Sequence, residues 1–126
     1  MPLDLCDHAA LELAELIRRR EATAVEVLES VVRRVEQVEG RSGMLDYQPS
    51  DHDEAQDRKS VHAFVAPLPL EAARRQAELV DEAFARGDDP GLLAGVPVAV
   101  KDIFCTNDTR TTAASKILHN YEAPYD

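Results

Sequence analysis

The run Gly95-Val96-Pro97-Val98-Ala99-Val100 ends on Lys101 and Asp102. A lysine delivered by a buried strand to the mouth of a sheet has one distinctive chemical use. Burial strips water from the ammonium, lowers its proton affinity and leaves a neutral amine able to act as a general base. Sheets flanked by helices place their sites at such strand ends. The same residues also permit a plainer arrangement, in which Lys101 lays its stem on apolar surface, reaches solvent, and Asp102 caps a turn. A base needs a nucleophile to serve, and the hydroxyls are unevenly placed. Ser30, Ser42, Ser50 and Ser60 precede the lysine; Ser115 follows it, where it reads as an acceptor for the start of a short helix. Arg110, Thr111 and Thr112 either line a site entrance or build a turn. His52 between Asp51 and Asp53 is the nearest approach to a metal site. No second ligand set accompanies it, so it reads as part of a charged surface loop, and no metal is called for. Cys6 and Cys105 form no disulfide framework and read as small buried or half-buried side chains.

The elements that must position Lys101 follow from periodicity. Ala9, Leu13, Leu16 and Ile17 share one helical face, with Asp7 able to cap its start and Arg18, Arg19 and Arg20 at its end. Thr23 and Glu26 have capping-box spacing ahead of a second stripe, Val25, Leu28, Val32 and Val35. The short link predicts a helical hairpin over 1–39. Residues 40–60, rich in Gly, Ser, Pro and acids, predict a solvated, mobile loop. Val61–Val65 alternates like a strand, closed by Pro67 and Pro69. Leu70 to Arg86 carries Ala73, Ala77, Val80 and Phe84 on one face and predicts a helix capped by Gly87. Gly95–Val100 predicts a short strand buried on both faces, with Pro97 marking a strand end or edge. Ala113 to Asn120 predicts one or two helical turns after a polar turn at Cys105–Thr112. If that turn needs a left-handed residue, Asn107 and Asp108 tolerate it best. The order implies an α/β class with the sheet only begun, residues 61–126 being the start of its core.

The chain has 126 residues, 44% apolar and 30% charged, which is enough for one soluble domain. Its formal charge of -10 argues against a surface built to grip phosphate backbones. No apolar run is long enough to span a bilayer, and the acidic N-terminus does not suit a signal peptide. A cytoplasmic protein is the expectation. No phosphate-cradling or dinucleotide fingerprint is present, because Gly95 to Pro97 lacks the required glycine spacing.

Three motifs carry a resemblance as a set: Gly-x-Pro-x-x-x-Lys-Asp at Gly95–Asp102, Thr-Thr-x-x-Ser-Lys-x-Leu at Thr111–Leu118, and Pro124-Tyr125-Asp126. Together they resemble the start of the amidase signature family. Within it they are most similar to the A subunits of glutamine-dependent amidotransferases that act on tRNA-bound glutamate. The resemblance implies a mixed sheet entered through a helical hairpin, incomplete in this chain. It implies that Lys101 is the lysine of a Ser–cis-Ser–Lys triad. One serine attacks the amide carbonyl, a second serine on a cis peptide bond relays the proton, and a neutral lysine receives it. Backbone N–H groups then stabilise the oxyanion. In such an amidotransferase, glutamine hydrolysis supplies ammonia to a partner, the B subunit, which uses ATP and Mg to convert Glu-tRNA(Gln) to Gln-tRNA(Gln). The third member of the heterotrimer is the C subunit. Contact with tRNA runs mainly through the B subunit, and the A subunit holds no cofactor.

The family's serines lie in a downstream Gly/Ser-rich signature, whereas this sequence has no glycine after Gly95. The chain is therefore expected to be the N-terminal part of a longer enzyme and inactive alone. Two other readings stand beside this one. An amidase of the same family acting on small amides is the nearer. A non-catalytic interaction protein, docking through Leu13, Leu16, Leu28 and Val32, is the further.

Overall fold

The computed structural model describes residues 4–39, 55, 58–107 and 109–126. The predicted mobile loop at 40–60, with His52, Ser42 and Ser50, lies almost wholly outside the described residues. Among the described residues the architecture is helical: α1 (Ala10–Arg18), α2 (Ala24–Glu39) and α3 (Leu70–Arg86), with 3-10 turns at Leu5–Asp7 and Lys116–Leu118. Contacts divide the chain into two units, Met1–Arg34 with Leu70–Val98, and Val35–Pro69 with Ala99–Asp126.

The first unit holds the apolar core. Leu13, Ile17, Ala22, Ala24, Val27, Ala77 and Phe84 are buried together, with Leu5, Leu16, Val25, Leu28, Val80, Ala94 and Val96 packed against them. Leu13, Leu16 and Ile17 of the first predicted stripe, Val25 and Leu28 of the second, and Ala77, Val80 and Phe84 of the third belong to it, whereas the fully buried α2 side chains, Ala24 and Val27, lie beside the predicted stripe. Of the four side chains named for a docking surface, Leu13 is buried in this core and Leu16 and Leu28 are half-buried against it, which commits these three to the unit's own packing.

Helix ends are set by local chemistry. At the start of α2, Thr23 N–H donates to Glu26 Oε2 at 2.8 Å and Glu26 N–H donates to Thr23 Oγ1 at 3.1 Å, a complete capping box. Asp81 of α3 supplies a second cap, accepting Ala24 N–H at 2.7 Å and Val25 N–H at 3.2 Å. Four N–H groups lack partners at any helix start, so two carboxylates share this end. Asp7 does not cap α1. It lies in the 3-10 turn, and the cap is Ala9, whose N–H donates to Glu12 at 2.9 Å. The helix α3 stops as expected: Gly87 takes φ +88°, its N–H reaching Phe84 O at 3.1 Å while Asp88 N–H reaches Ala83 O at 3.0 Å. Arg18 ties the α1 end to the following loop through Asp89 (2.8 Å) and Gly91 O (3.2 Å).

Gly95 is where this unit needs a glycine. Its φ is +84°, and a Cβ there would lie 2.8 Å from Ala24 Cβ and 2.9 Å from Ile17 Cδ1. Gly95 thus seats directly against Ile17 of α1 and Ala24 of α2.

The predicted strands do not form among the described residues. Among the described residues no strand ladder forms; the one β pairing is an isolated antiparallel bridge, Arg110 with Glu122. In Val61–Val65 the donors are spent on the end of α2: Val61 N–H reaches Val38 O at 3.2 Å and Ala63 N–H reaches Glu39 Oε1 at 2.6 Å. His62 takes φ +58°, which no strand accommodates. The second stretch, expected to be buried on both faces, instead exposes Val98 (77%) and Val100 (58%). An extended segment becomes a strand only when a neighbour accepts its N–H groups, and none does so here. No helix among the described residues is long and apolar enough to cross a membrane.

A candidate active-site lysine and its carboxylate clamp

Lys101 opens a tight turn in the second unit, closed by Phe104 N–H donating to Lys101 O at 2.9 Å. Its side chain is exposed. No hydrogen bond or ion pair engages its ammonium among the described residues, Asp102 included. The burial expected of a general base is therefore not met in this structure.

Asp102 is bound on every side by one loop. Its carboxylate accepts Thr112 N–H at 2.9 Å, the Thr112 hydroxyl, and Ala114 N–H at 3.4 Å. Its carbonyl accepts Ala113 N–H at 3.0 Å. Thr111 and Thr112 are buried, at 6% and 3% exposure. The Thr111 hydroxyl donates to Phe104 O at 3.4 Å, so the loop grips the turn at both ends. Burial alone would raise the Asp102 carboxyl, but the Thr112 hydroxyl and the N–H groups of Thr112, Ala114 and Ala113 outweigh it and hold the carboxyl below its ordinary value.

The loop adopts this grip at a cost. Ala113 and Ala114 have φ +47° and +58° in succession, a left-handed geometry that aims adjacent N–H groups at one anion. Asn107 and Asp108 read as the residues best able to tolerate a left-handed position, had the turn needed one there. Asn107 is not left-handed, and Asp108 is outside the described residues. Ser115 plays the part expected of it, accepting Ile117 N–H at 3.3 Å at the start of the 3-10 turn. That turn replaces the longer helix predicted at Ala113–Asn120, because the two left-handed residues cannot enter a right-handed helix.

The C-terminal residues fold back on the same region. Thr111 N–H reaches Tyr121 O at 3.0 Å and Asn107 N–H reaches Asp126 Oδ1 at 2.8 Å. Hydrogen bonding to Tyr121, and then to the Cys105 thiol, holds the Tyr125 phenol above its ordinary value. Cys6 and Cys105 are both free and half-buried. Among the described residues no three of His, Cys, Asp and Glu converge to hold a metal ion. The sequence brought Lys101 and Asp102 together with Thr111–Leu118 only as separate motifs. The contact between them was missed, because Thr111 and Thr112 read only as part of a site entrance or a turn.

Residues 52–126, which contain the turn, the clamp and the C-terminal bridge, match the family model described as Amidase. The chain belongs to the amidase family. Its amidase relatives align over almost the whole sequence. The glutamyl-tRNA(Gln) amidotransferase A subunit of Carboxydothermus hydrogenoformans is 41% identical over 98% of this chain and 21% of its own length. The protein of the same name from Gloeobacter violaceus is 42% identical over 91% of this chain and 19% of its own. That from Corynebacterium diphtheriae is 40% identical over 97% and 21%. The chain thus spans about a fifth of the length of the curated relatives it matches. No solved structure matches it.

Proposed function

We propose that this chain is the N-terminal part of the A subunit of a glutamine-dependent tRNA amidotransferase. The observation that carries this is the identity of about two residues in five, over nearly the whole chain, to relatives bearing that name. In this reading Lys101 is the general base of a Ser–cis-Ser–Lys triad whose serines are supplied by the polypeptide that follows. That polypeptide also covers the lysine, lowering its proton affinity by desolvation. It completes a mixed sheet that follows the helical hairpin of residues 1–39 and that Gly95–Val100 would join. The nucleophilic serine gives up its proton through the second serine to the Lys101 amine as it attacks the glutamine amide carbon. The proton then passes from Lys101 back through the second serine to the departing nitrogen, so that ammonia leaves and an acyl-enzyme remains, which water attacks to free the serine and release glutamate.

The enzyme works in the cytoplasm as a heterotrimer with its B and C subunits. ATP and Mg are used by the B subunit on Glu-tRNA(Gln), and this chain holds no cofactor. The charge of -10 fits a protein that leaves tRNA to its partner. The broader description of the matched family model favours a second reading, an amidase acting on small amides. A steady-state comparison of ammonia release separates them. The full-length enzyme carrying this chain is expected to hydrolyse glutamine with a kcat/KM at least ~100-fold above that for simple aliphatic amides. The reverse preference establishes the small-amide reading.

A further inference from the structure

From the loop that grips the turn after Lys101, we infer that Asp102 and Thr112 form a positioning pair for the lysine, and this rests on Lys101 being the base. Lys101 carries its amine on four flexible methylenes, and no contact among the described residues restrains the head group. What is restrained is the backbone that carries it. Lys101 O is held by Phe104 N–H, and the next residue is held at both its carbonyl and its carboxylate by three consecutive residues, Thr112, Ala113 and Ala114. Two left-handed alanines maintain that geometry, a strain that persists only where surrounding bonds impose it. Misplacement of a reacting group by about 1 Å can cost ~100-fold in rate. A base on a long stem depends on its anchor, and Asp102 is that anchor.

The clamp also disposes of a charge. A carboxylate beside an ammonium favours the protonated amine, which is the wrong state for a base. The hydrogen bonds from Thr112 and Ala114 turn the Asp102 carboxylate toward the loop, where Lys101 makes no ion pair with it.

The test is made in the full-length enzyme, with glutamine as substrate and thermal melting followed in parallel. Thr112→Val removes the hydroxyl while keeping the shape of the side chain and its backbone N–H. It is expected to lower kcat ~10- to 100-fold with KM changed by less than about threefold, the pattern of a loss confined to the transition state. Thr112→Ser, which keeps the hydroxyl, is expected to hold kcat within about threefold of the parent. Because Thr112 is buried, the double variant Thr112→Val/Ala114→Gly guards against misfolding, since glycine removes the strain at Ala114. If this variant melts like the parent and still loses kcat, positioning is confirmed. If its kcat returns with its stability, or if Thr112→Val keeps the parent kcat, the inference is overturned. Lys101→Ala is the control. If it is as active as the parent, the proposed function fails at its base, a result distinct from failure of the clamp.

Discussion

At Asp102 the balance of forces has a sign that solution measurements can check. Desolvation pushes its carboxyl up, and hydrogen bonds from the Thr112–Ala114 loop pull it down further. A carboxyl lowered on folding contributes stability that is fully present above its unfolded value, ordinarily about 4. That contribution is lost as the pH falls from there through the lowered folded value. A carbon-13 titration of the Asp102 carboxyl should therefore give a midpoint below the ordinary aspartate range; a midpoint at or above that range contradicts the clamp. Gly95 makes the second residue-scale prediction. Gly95→Ala places a methyl within 3 Å of two core side chains, at a φ that alanine disfavours. Overpacking and left-handed strain should each cost about 1–2 kcal/mol. Urea unfolding should show a loss of about 2–4 kcal/mol, whereas a neutral outcome would mean that Ile17 and Ala24 yield freely. Lys101 was singled out because an apolar run ends on Lys-Asp, a pattern that serves a plain solvent-facing strand end equally well. The partner of Asp102 was not legible, because Thr112 lies ten positions away behind a turn whose left-handed alanines carry no sequence signal for that geometry.

The helices show what periodicity can and cannot reveal. Most of the α1 and α3 stripes was readable because the first unit buries Leu13, Ile17, Ala77 and Phe84 together, so local pattern and tertiary packing agree, whereas α2 buries Ala24 and Val27 beside the stripe that periodicity marked. The capping box at Thr23 and Glu26 was readable for the same reason: all its atoms lie within four residues. The second cap, from Asp81, comes from another helix and leaves no local trace. Asp81→Ala should cost about 1–2 kcal/mol by orphaning two N–H groups, seen as a lower urea midpoint at unchanged slope. A variant of parental stability would show that Thr23 alone suffices. The strand expectations failed for a physical reason. β structure depends on a partner outside the segment, and the donors of Val61 and Ala63 are taken by the end of α2. Val98 and Val100 have the residue types of a buried strand without, among the described residues, anything to be buried against.

On the scale of the whole molecule, the first unit has an apolar core, while the second is knit largely by hydrogen bonds around Asp102, Thr111 and Thr112. Large apolar side chains stay outside in that unit, among them Ile117 at 94%, Phe104 at 61% and Tyr125 at 58% exposure. The 126-residue chain by itself should accordingly bind a dye such as ANS, the response of a protein with accessible apolar surface. A chain that binds no dye and melts cooperatively would point instead to a self-sufficient domain. The family was legible from three short motifs, and the similarity to known amidases bears it out. The chemistry they imply turns on one amine. The most direct measurement is glutamine hydrolysis by the full-length enzyme before and after Lys101→Ala. Loss of kcat by ~100- to 10,000-fold, in a protein that still folds, is the predicted result for removal of a general base. Activity equal to the parent would contradict the account, leaving Lys101 as a solvent-facing residue at the head of a turn.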